Sequence, residues 1–307
     1  MRIGISLTSS YRSDDVREGA RWMVERAAAA REAGLDSLFV GDHHATPQPY
    51  YQNVPMMGRL LAEWDDKPFG CLFLLPLWHP VLLAEQIGTL ASIGQGRFIM
   101  QCGLGYGEEQ FQALGTTMRH RPSRFEESLD ILRRLFAGET VSSDGRWKIR
   151  DASISPIPPE PVEVWVAASA PVAIERAGRL GDGFLAAPSL PPAEARRQLQ
   201  HYREACEKAD RPVGTLAVRR DIFVGETSEE AVRIGGAIVE RGYRGFPKDA
   251  PVYGSPGEVA EKFGELAEMG YTDVIVRSMA SQQVHALSSL ALLREVRERV
   301  GNEAPPR

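Results

Sequence analysis

Short apolar runs alternate with amphipathic segments along nearly the whole chain. Eight of these runs lack the polar–apolar alternation of a half-solvated strand and predict buried β-strands. They span residues 3–7, 37–40, 69–75, 97–102, 162–167, 183–186, 216–224 and 273–277. Between them, apolar residues recur at helical spacing, and several of these segments end at a glycine that can close a helix.

This order of elements decides between two α/β architectures. Strands that are apolar on both faces and separated by helices require a parallel sheet covered by helices. An open, doubly wound sheet uses fewer strands and often has a glycine-rich phosphate loop after the first strand, whereas here the polar segment Thr8–Tyr11 follows it. We therefore predict a (β/α)8 TIM barrel.

Two segments depart from the alternation of strands and helices. Residues 141–153 contain an Asp-Gly pair between short polar–apolar stretches, which predicts a small β-hairpin insertion. Residues 242–256 are rich in glycine and proline, which predicts a long loop, either a lid or a tolerated insertion. No low-complexity linker divides the chain, so a single domain is predicted over residues 1–307.

Composition and charge exclude several classes of partner and site. A net charge of -5 provides no basic surface for nucleic acid. Cys71, Cys102 and Cys206 form no Cys-x-x-Cys pair, and we expect buried free thiols in a reducing cytoplasm. No apolar run is long enough for a membrane span, and the N-terminus lacks the features of a signal peptide. Hydrolase and NTPase motifs are absent.

Polar side chains follow the second predicted strand, at the end where a barrel assembles its active site. They are Asp42, His43 and His44. Imidazole exchanges a proton near neutral pH, and a neighbouring carboxylate fixes its tautomer; the same residues could also merely cap the strand. Adjacent residues on an extended segment point to opposite sides, and no further ligand set accompanies the pair, which argues against a metal.

Small residues follow the fourth and fifth predicted strands. The glycines of Gly103–Gly105 let backbone amides approach a bound group closely, although a strand-to-helix turn also needs glycine. Ala168 and Ser169 precede a helix that begins near Pro171, where free amides favour a phosphate. Aromatic residues such as Tyr50 could wall a planar ring or simply cover the rim.

Taken in order, these segments resemble the bacterial luciferase-like monooxygenase family. The resemblance is carried by Gly-Asp-His-His at 41–44, the segment 74–86 around Trp-His-Pro, Gly-Arg-Phe and the following residues at 96–105, Arg-Phe-Glu-Glu at 124–127, Val-Trp-Val-Ala-Ala-Ser at 164–169, and the glycine-containing pairs at 177–184. It covers most of the chain and is weakest in the last third.

The resemblance implies a (β/α)8 barrel that binds FMN or the deazaflavin coenzyme F420. It implies that Asp42 and His43 face the ring, with His43 as the proton donor. It also implies a bulged third strand, often with a non-prolyl cis peptide, near Leu72–Phe73. The implied cofactor contacts are Asp42, Leu72, Phe73, Leu75, Gly103, Leu104, Gly105, Ala167, Ala168 and Ser169, the last two against the cofactor phosphate.

One position departs from the family pattern. Deazaflavin-dependent sugar-phosphate dehydrogenases of the family place a catalytic glutamate directly after the strand-four Gly-x-Gly, where this chain has Tyr106, with Glu108 and Glu109 a little later. Sugar-phosphate oxidation is therefore not expected. An Asp-His pair, where luciferases proper have Glu-His, favours F420 over FMN.

We therefore expect hydride transfer between a flavin-type ring and an organic substrate. The alternatives are an FMN-dependent monooxygenase supplied by a separate flavin reductase, and a non-catalytic flavin-binding protein. A homodimer is implied by the resemblance. The rim segments 44–58, 106–121 and 242–256 carry no charge cluster that identifies the substrate.

Overall fold

Eight parallel strands close into a barrel surrounded by helices, which confirms the predicted fold. The computed structural model describes residues 1–11 and 13–302. The barrel strands are β1 (Arg2–Leu7), β2 (Leu38–Val40), β3 (Phe69–Leu74), β4 (Phe98–Gly103), β7 (Glu163–Ala167), β8 (Gly183–Ala186), β9 (Thr215–Val224) and β11 (Asp273–Ser278). They follow one another in chain order, and β8 pairs with β9 while β11 pairs with β1, which closes the ring.

Helices follow the strands in the predicted order. They are α1 (Val16–Glu32), α2 (Asn53–Leu60), α3 (Pro80–Ile93), α4 (Glu108–Ala113), α5 (Arg121–Phe136), α6 (Pro171–Leu180), α7 (Pro192–Lys208), α8 (Ser228–Ala231), α9 (Ala237–Glu240), α10 (Pro256–Met269), α11 (Gln283–Ala291) and α12 (Leu293–Asn302). A π-helical turn, Val232–Gly236, joins α8 to α9. Within the described residues, no helix combines the length and apolarity needed to cross a bilayer.

The internal contacts divide the chain into two compact units. The first unit contains Met1–Thr8, Ser13–Leu38 and the chain from Trp165 onward. The second unit contains Phe39–Val164 and a short segment that begins at Ser9. The single domain expected from the sequence stays a prediction.

In the first unit, β11 is the central strand of a parallel set. It pairs with β9 from Asp273↔Ala217 to Ser278↔Ile222 and with β1 along its other edge. The helix that precedes β11 along the chain, α10, begins with a capping box in which Ser255 and Glu258 each bond the other's backbone.

In the second unit, β3 and β4 pair without a register shift. Their contact is very close at Gly70, where a Cβ atom would lie 1.8 Å from the carbonyl oxygen of Ile99. The predicted hairpin is confirmed as β5 (Val141–Ser143) and β6 (Ile149–Ala152), which are antiparallel. The three cysteines of the chain are buried and form no disulfide, as expected.

Several predicted boundaries are wrong. The expected loop over 242–256 contains a strand, β10 (Val252–Gly254), because β9 extends beyond β8 and offers it a free edge. The sequence also offers Ser228 as the cap of α8, but the cap is Thr227, whose hydroxyl accepts from Glu230 N, and Ser228 is the first helical residue.

The expected cis peptide near Leu72–Phe73 is also wrong. The only cis bond among the described residues is Ser155–Pro156. A trans chain keeps β3 in register with β4 throughout, so no bulge interrupts this pairing. The Leu72 carbonyl accepts a hydrogen bond from Asn53 Nδ2 at 2.7 Å.

Candidate active site

Hydrogen bonds hold the Asp42 side chain at the end of β3. The residue is buried, and its Oδ2 accepts from the backbone N–H of Leu74 at 2.8 Å and from Trp78 Nε1 at 2.9 Å. Two donors on one oxygen offset part of the cost of burying a carboxylate. The Tyr50 hydroxyl lies close to the backbone of Gly41, the residue before Asp42, since a Cβ atom at Gly41 would lie 2.9 Å from it.

His44 lies against the second oxygen of Asp42. Its Nε2 is 3.1 Å from Asp42 Oδ1, with the two side chains 16% and 0% exposed. The ring stands edge-on to Trp78 at 5.5 Å, and the backbone N–H donates to Gln110 Oε1 at 2.9 Å. The sequence analysis assigned no role of its own to His44. Its contact with Asp42 could have been expected, because alternate residues of an extended segment point to the same side.

His43 has different neighbours. Its ring packs edge-on against Tyr50 at 5.4 Å and against Tyr106 at 5.9 Å, and its carbonyl accepts from Gln52 Nε2 at 3.1 Å. Tyr106 is 72% exposed, and His43 is half-buried. The predicted proton donor therefore stands between two aromatic rings with part of its surface accessible.

Among the predicted cofactor contacts on β3 and just after it, only Leu72 has exposed surface. Phe73 and Leu75 are 0% exposed, and Phe73 packs edge-on against Trp78 at 5.4 Å. Leu72 is half-buried. Phe73 and Leu75 therefore pack beneath the site without reaching its surface, and Leu72 is the side chain that a ligand could contact.

The turn after β4 keeps a backbone that only glycine adopts easily. Gly105 has a φ of 75°, in the left-handed region, and its carbonyl accepts from Arg121 Nη1 at 3.0 Å. Gly103 is buried, while Leu104 and Gly105 are half-buried. The predicted close approach of a ligand to Leu104 and Gly105 fits this turn.

Among the buried polar side-chain atoms of the second unit, Asp42 Oδ1 and His44 Nε2 have only each other, at 3.1 Å. Ser9 Oγ and Gln101 Nε2 have no hydrogen-bond partner among the described residues. Leaving a buried polar atom unpaired costs about 1–3 kcal/mol, and the polar edge of a ligand would relieve this cost at Gln101 Nε2. The ring of a flavin or deazaflavin carries carbonyl and N–H groups on one edge, and this set of donors and acceptors fits it.

In the first unit, the predicted phosphate contacts precede a helix. Ala167 ends β7, Ala168 is 8% exposed, and Ser169 is exposed. The helix α6 begins at Pro171, so the first backbone amides of a ten-residue helix are available to an anion. The Ser169 carbonyl accepts from Gln198 Nε2 at 3.3 Å.

The residues around Asp42 do not favour a catalytic thiolate or a metal site. Burial raises the pKa of the Cys71 thiol well above its usual range, and the Asp42 charge raises it further, so Cys71 is not a thiolate nucleophile at neutral pH. The described residues contain no group of three or more potential metal ligands.

Comparison with known proteins adds a family and a fold. The luciferase-like monooxygenase family model matches residues 1–251. An F420-dependent glucose-6-phosphate dehydrogenase of Beutenbergia cavernae is 28% identical, covering 93% of this chain and 95% of that protein.

Two solved structures share the barrel at low identity. The oxygenating constituent of 3,6-diketocamphane monooxygenase from Pseudomonas putida, in complex with FMN, has a TM-score of 0.82 and 21% identity, covering 100% of this chain and 99% of that chain. An F420-dependent secondary alcohol dehydrogenase with an F420-acetone adduct has a TM-score of 0.80 and 17% identity, covering 97% and 98%.

Proposed function

Because this chain belongs to the luciferase-like monooxygenase family, we propose that it transfers a hydride between a flavin-type cofactor and an organic substrate. The protein is an oxidoreductase of that family, with homologues that use F420. The observation that carries the proposal is the buried Asp42, fixed by two donors and 3.1 Å from His44 Nε2, next to a half-buried His43.

Each residue of the second unit has a role in this proposal. When bound, the cofactor supplies a ring that donates or accepts the hydride. Asp42, fixed by Leu74 N–H and Trp78, orients the polar edge together with His44. His43 holds or releases the accompanying proton at an imidazole nitrogen. Leu72 and the turn Gly103–Gly105 contact the ring.

Residues of the first unit are proposed to hold the cofactor phosphate. Ala167, Ala168 and Ser169 precede the N-terminus of α6, where amide donors and the helix dipole favour an anion. This assignment follows the resemblance and the local geometry of that turn.

F420 is the cofactor we propose, in preference to FMN. The curated relatives at 28% and 31% identity are F420-dependent, and the Asp-His pair favours the same branch. Parallel fluorescence titrations of the apoprotein with F420 and with FMN test the choice. F420 should bind at least about tenfold more tightly, which is about 1.4 kcal/mol. Tighter binding of FMN would reverse the choice, and binding of neither would remove the proposal.

The substrate proposed is an organic molecule other than glucose 6-phosphate. Tyr106 stands where the resemblance places a catalytic glutamate, and it is 72% exposed. Glu108 and Glu109 are exposed in the first turn of α4. Assay of the F420-loaded protein with glucose 6-phosphate should give no reduction of the cofactor, and turnover with this sugar phosphate would contradict the exclusion.

A second candidate is an FMN-dependent monooxygenase supplied by a separate flavin reductase, which the description of the matching family favours. Reduced FMN reacts with oxygen, whereas the deazaflavin transfers hydride only. Oxygen uptake by the protein mixed with reduced FMN and a candidate substrate separates the two. Uptake coupled to substrate oxygenation would establish the second candidate.

A further inference from the structure

Three arginines of the first unit surround one buried aspartate. Arg219 and Asp221 lie on β9 two residues apart, and Asp221 is the register partner of Arg277 on β11. Residues at alternate positions, and register partners on neighbouring parallel strands, point to the same face of a sheet. Arg244 reaches the same aspartate from the turn that follows α9. We call Arg219, Arg244 and Arg277 the arginine cluster.

Both carboxylate oxygens of Asp221 accept hydrogen bonds from neighbouring side chains. Its side chain is 0% exposed. Oδ1 accepts from both Nε and Nη2 of Arg219 at 3.1 Å. Oδ2 accepts from Arg244 Nη1 and from the Tyr243 hydroxyl, each at 2.8 Å.

Arg277 is the member of the cluster that makes no hydrogen bond to Asp221. Its Nε donates to Thr8 Oγ1 at 3.2 Å, and it forms no ion pair with any described residue. The cluster therefore holds three cations against one carboxylate, and two positive charges are uncompensated within it.

The members of the cluster differ in their electrostatics, since Asp221 and Tyr243 outweigh burial and raise the pKa of Arg244, whereas the pKa of Arg219 is lowered. Burial, followed by the nearby charges of Arg277 and Arg244, lowers the pKa of Arg219 to about 10 despite its contact with Asp221. For Asp221, burial would raise the pKa, but the three arginines outweigh it and the pKa is lowered. Charges removed from solvent are ordinarily paired. Arg219 and Arg244 share the one carboxylate of Asp221 while Arg277 contacts Thr8, so an additional anion would complete the pairing.

The backbone holds Arg244 in a conformation that side chains rarely adopt. Its φ is 51° and its ψ is 17°, between two glycines, Gly242 and Gly245, that also have positive φ. A left-handed non-glycine residue costs about 1–2 kcal/mol, and such outliers cluster at functional sites. The guanidinium stacks 4.9 Å over Phe246 and stays 36% exposed, so it is aimed and accessible.

The position in the barrel also suits an anion. β9 and β11 are the seventh and eighth barrel strands, and Thr8 directly follows β1. In (β/α)8 barrels the loops after strands seven and eight frequently form a phosphate site at the C-terminal face. Planar guanidinium groups match the oxygens of phosphate and carboxylate in two-point contacts.

We propose that Arg219, Arg244 and Arg277 bind an oxyanion group, a phosphate or a carboxylate, carried by the organic substrate. This assignment rests on the proposed oxidoreductase function, which it deepens by naming a substrate class. Asp221 and Tyr243 then position the arginines and do not contact the ligand.

Calorimetric titration of the apoprotein with inorganic phosphate and with acetate, at constant ionic strength in chloride, tests the site. One of the two anions should bind saturably with a stoichiometry of one, and the tighter anion identifies the substrate group. Arg244→Gln and Arg277→Gln should each weaken that binding by at least about tenfold. Circular dichroism melts establish that both variants fold.

Arg233→Gln is the matched control, because Arg233 is an exposed arginine of the same unit that is ion-paired with Glu230. It removes the same charge and should leave anion binding unchanged. Equal losses in all three variants, or no saturable binding up to about 20 mM, well above a millimolar Kd, would overturn the site and leave a purely structural ion network.

A third arm separates the substrate from the cofactor. Anion binding should persist in protein saturated with F420 or FMN. Displacement of the anion by the cofactor would overturn the assignment to the substrate. Because the first titration uses apoprotein, it reports on the cluster even if neither cofactor binds, so failure of the proposed function is distinguishable from failure of the oxyanion site.

Discussion

At the scale of single residues, Asp42 connects the candidate site to the fold. One oxygen accepts from Leu74 N–H and Trp78 Nε1, and the other lies 3.1 Å from His44. The sequence placed Asp42 and His43 at a strand end correctly. It missed the partnership of Asp42 with His44 because the resemblance assigned the role to His43, although alternate residues of an extended segment share a side.

Asp42→Ala should reduce the free energy of unfolding by about 2–4 kcal/mol, because it leaves two buried donors unpaired. Asp42→Asn is the matched control, since its amide oxygen can still accept from Leu74 N–H and Trp78 Nε1 while its NH2 group faces His44. Urea denaturation measures both. Equal destabilisation by the two variants would show that the two hydrogen bonds do not hold this strand end.

His43→Ala should lower turnover by about 100-fold or more, as expected for loss of a general acid or base. Affinity for the cofactor should change little, because His43 contacts Tyr50 and Tyr106 rather than anchoring the strand end. His201→Ala, on the surface helix α7, is the control. A variant that keeps full turnover with an identified substrate would refute the proton-transfer role.

At the scale of elements, long apolar strands were predictable and short elements were not. All eight barrel strands were found from their composition. The helices α2 and α4, of eight and six residues, were missed because such short helices give too little periodicity to recognise. The three-residue β10 was missed because its pairing with β9 depends on the fold.

The arginine cluster was missed for the same reason as β10, because its members come together only in the folded barrel. Arg219, Arg220 and Asp221 are consecutive charged residues within a largely apolar strand, which was the available signal. Arg244 and Arg277 are remote in sequence, and the register of β9 with β11 is what brings Arg277 beside Asp221. Charged residues inside a buried strand are a reason to look for distant partners before assigning a site.

The hairpin of β5 and β6 gives a prediction at this scale. Glu127 on α5 accepts from Ser143 Oγ and from the backbone N–H groups of Arg146 and Trp147. Burial would raise the Glu127 pKa, but these bonds outweigh it and the pKa is lowered. A lowered pKa means that the stabilisation is full above the unfolded-state value and is lost as pH falls through the folded value.

Glu127→Gln should therefore destabilise the protein at pH 7, and the difference from wild type should shrink below about pH 4, near the ordinary carboxyl pKa. Denaturation curves across this range measure the difference. Glu109→Gln, at an exposed position, should show no such trend. A difference that is constant with pH would show that the Glu127 charge does not stabilise the hairpin.

At the scale of the whole molecule, the barrel was predictable because it follows from the count and order of buried strands. The homodimer implied by the resemblance stays a prediction. Light scattering of the purified protein should give twice the monomer mass of 33.9 kDa. A monomer at micromolar concentration would contradict it.

The central claim is that a flavin-type ring binds against the strand end that carries Asp42 and His43. A crystal structure of the protein with whichever of F420 or FMN binds tests this most directly. We expect ring density in contact with His43 and Leu72, with its polar edge hydrogen-bonded to Asp42, His44 or Gln101. A ring found away from all five of these side chains would contradict the account.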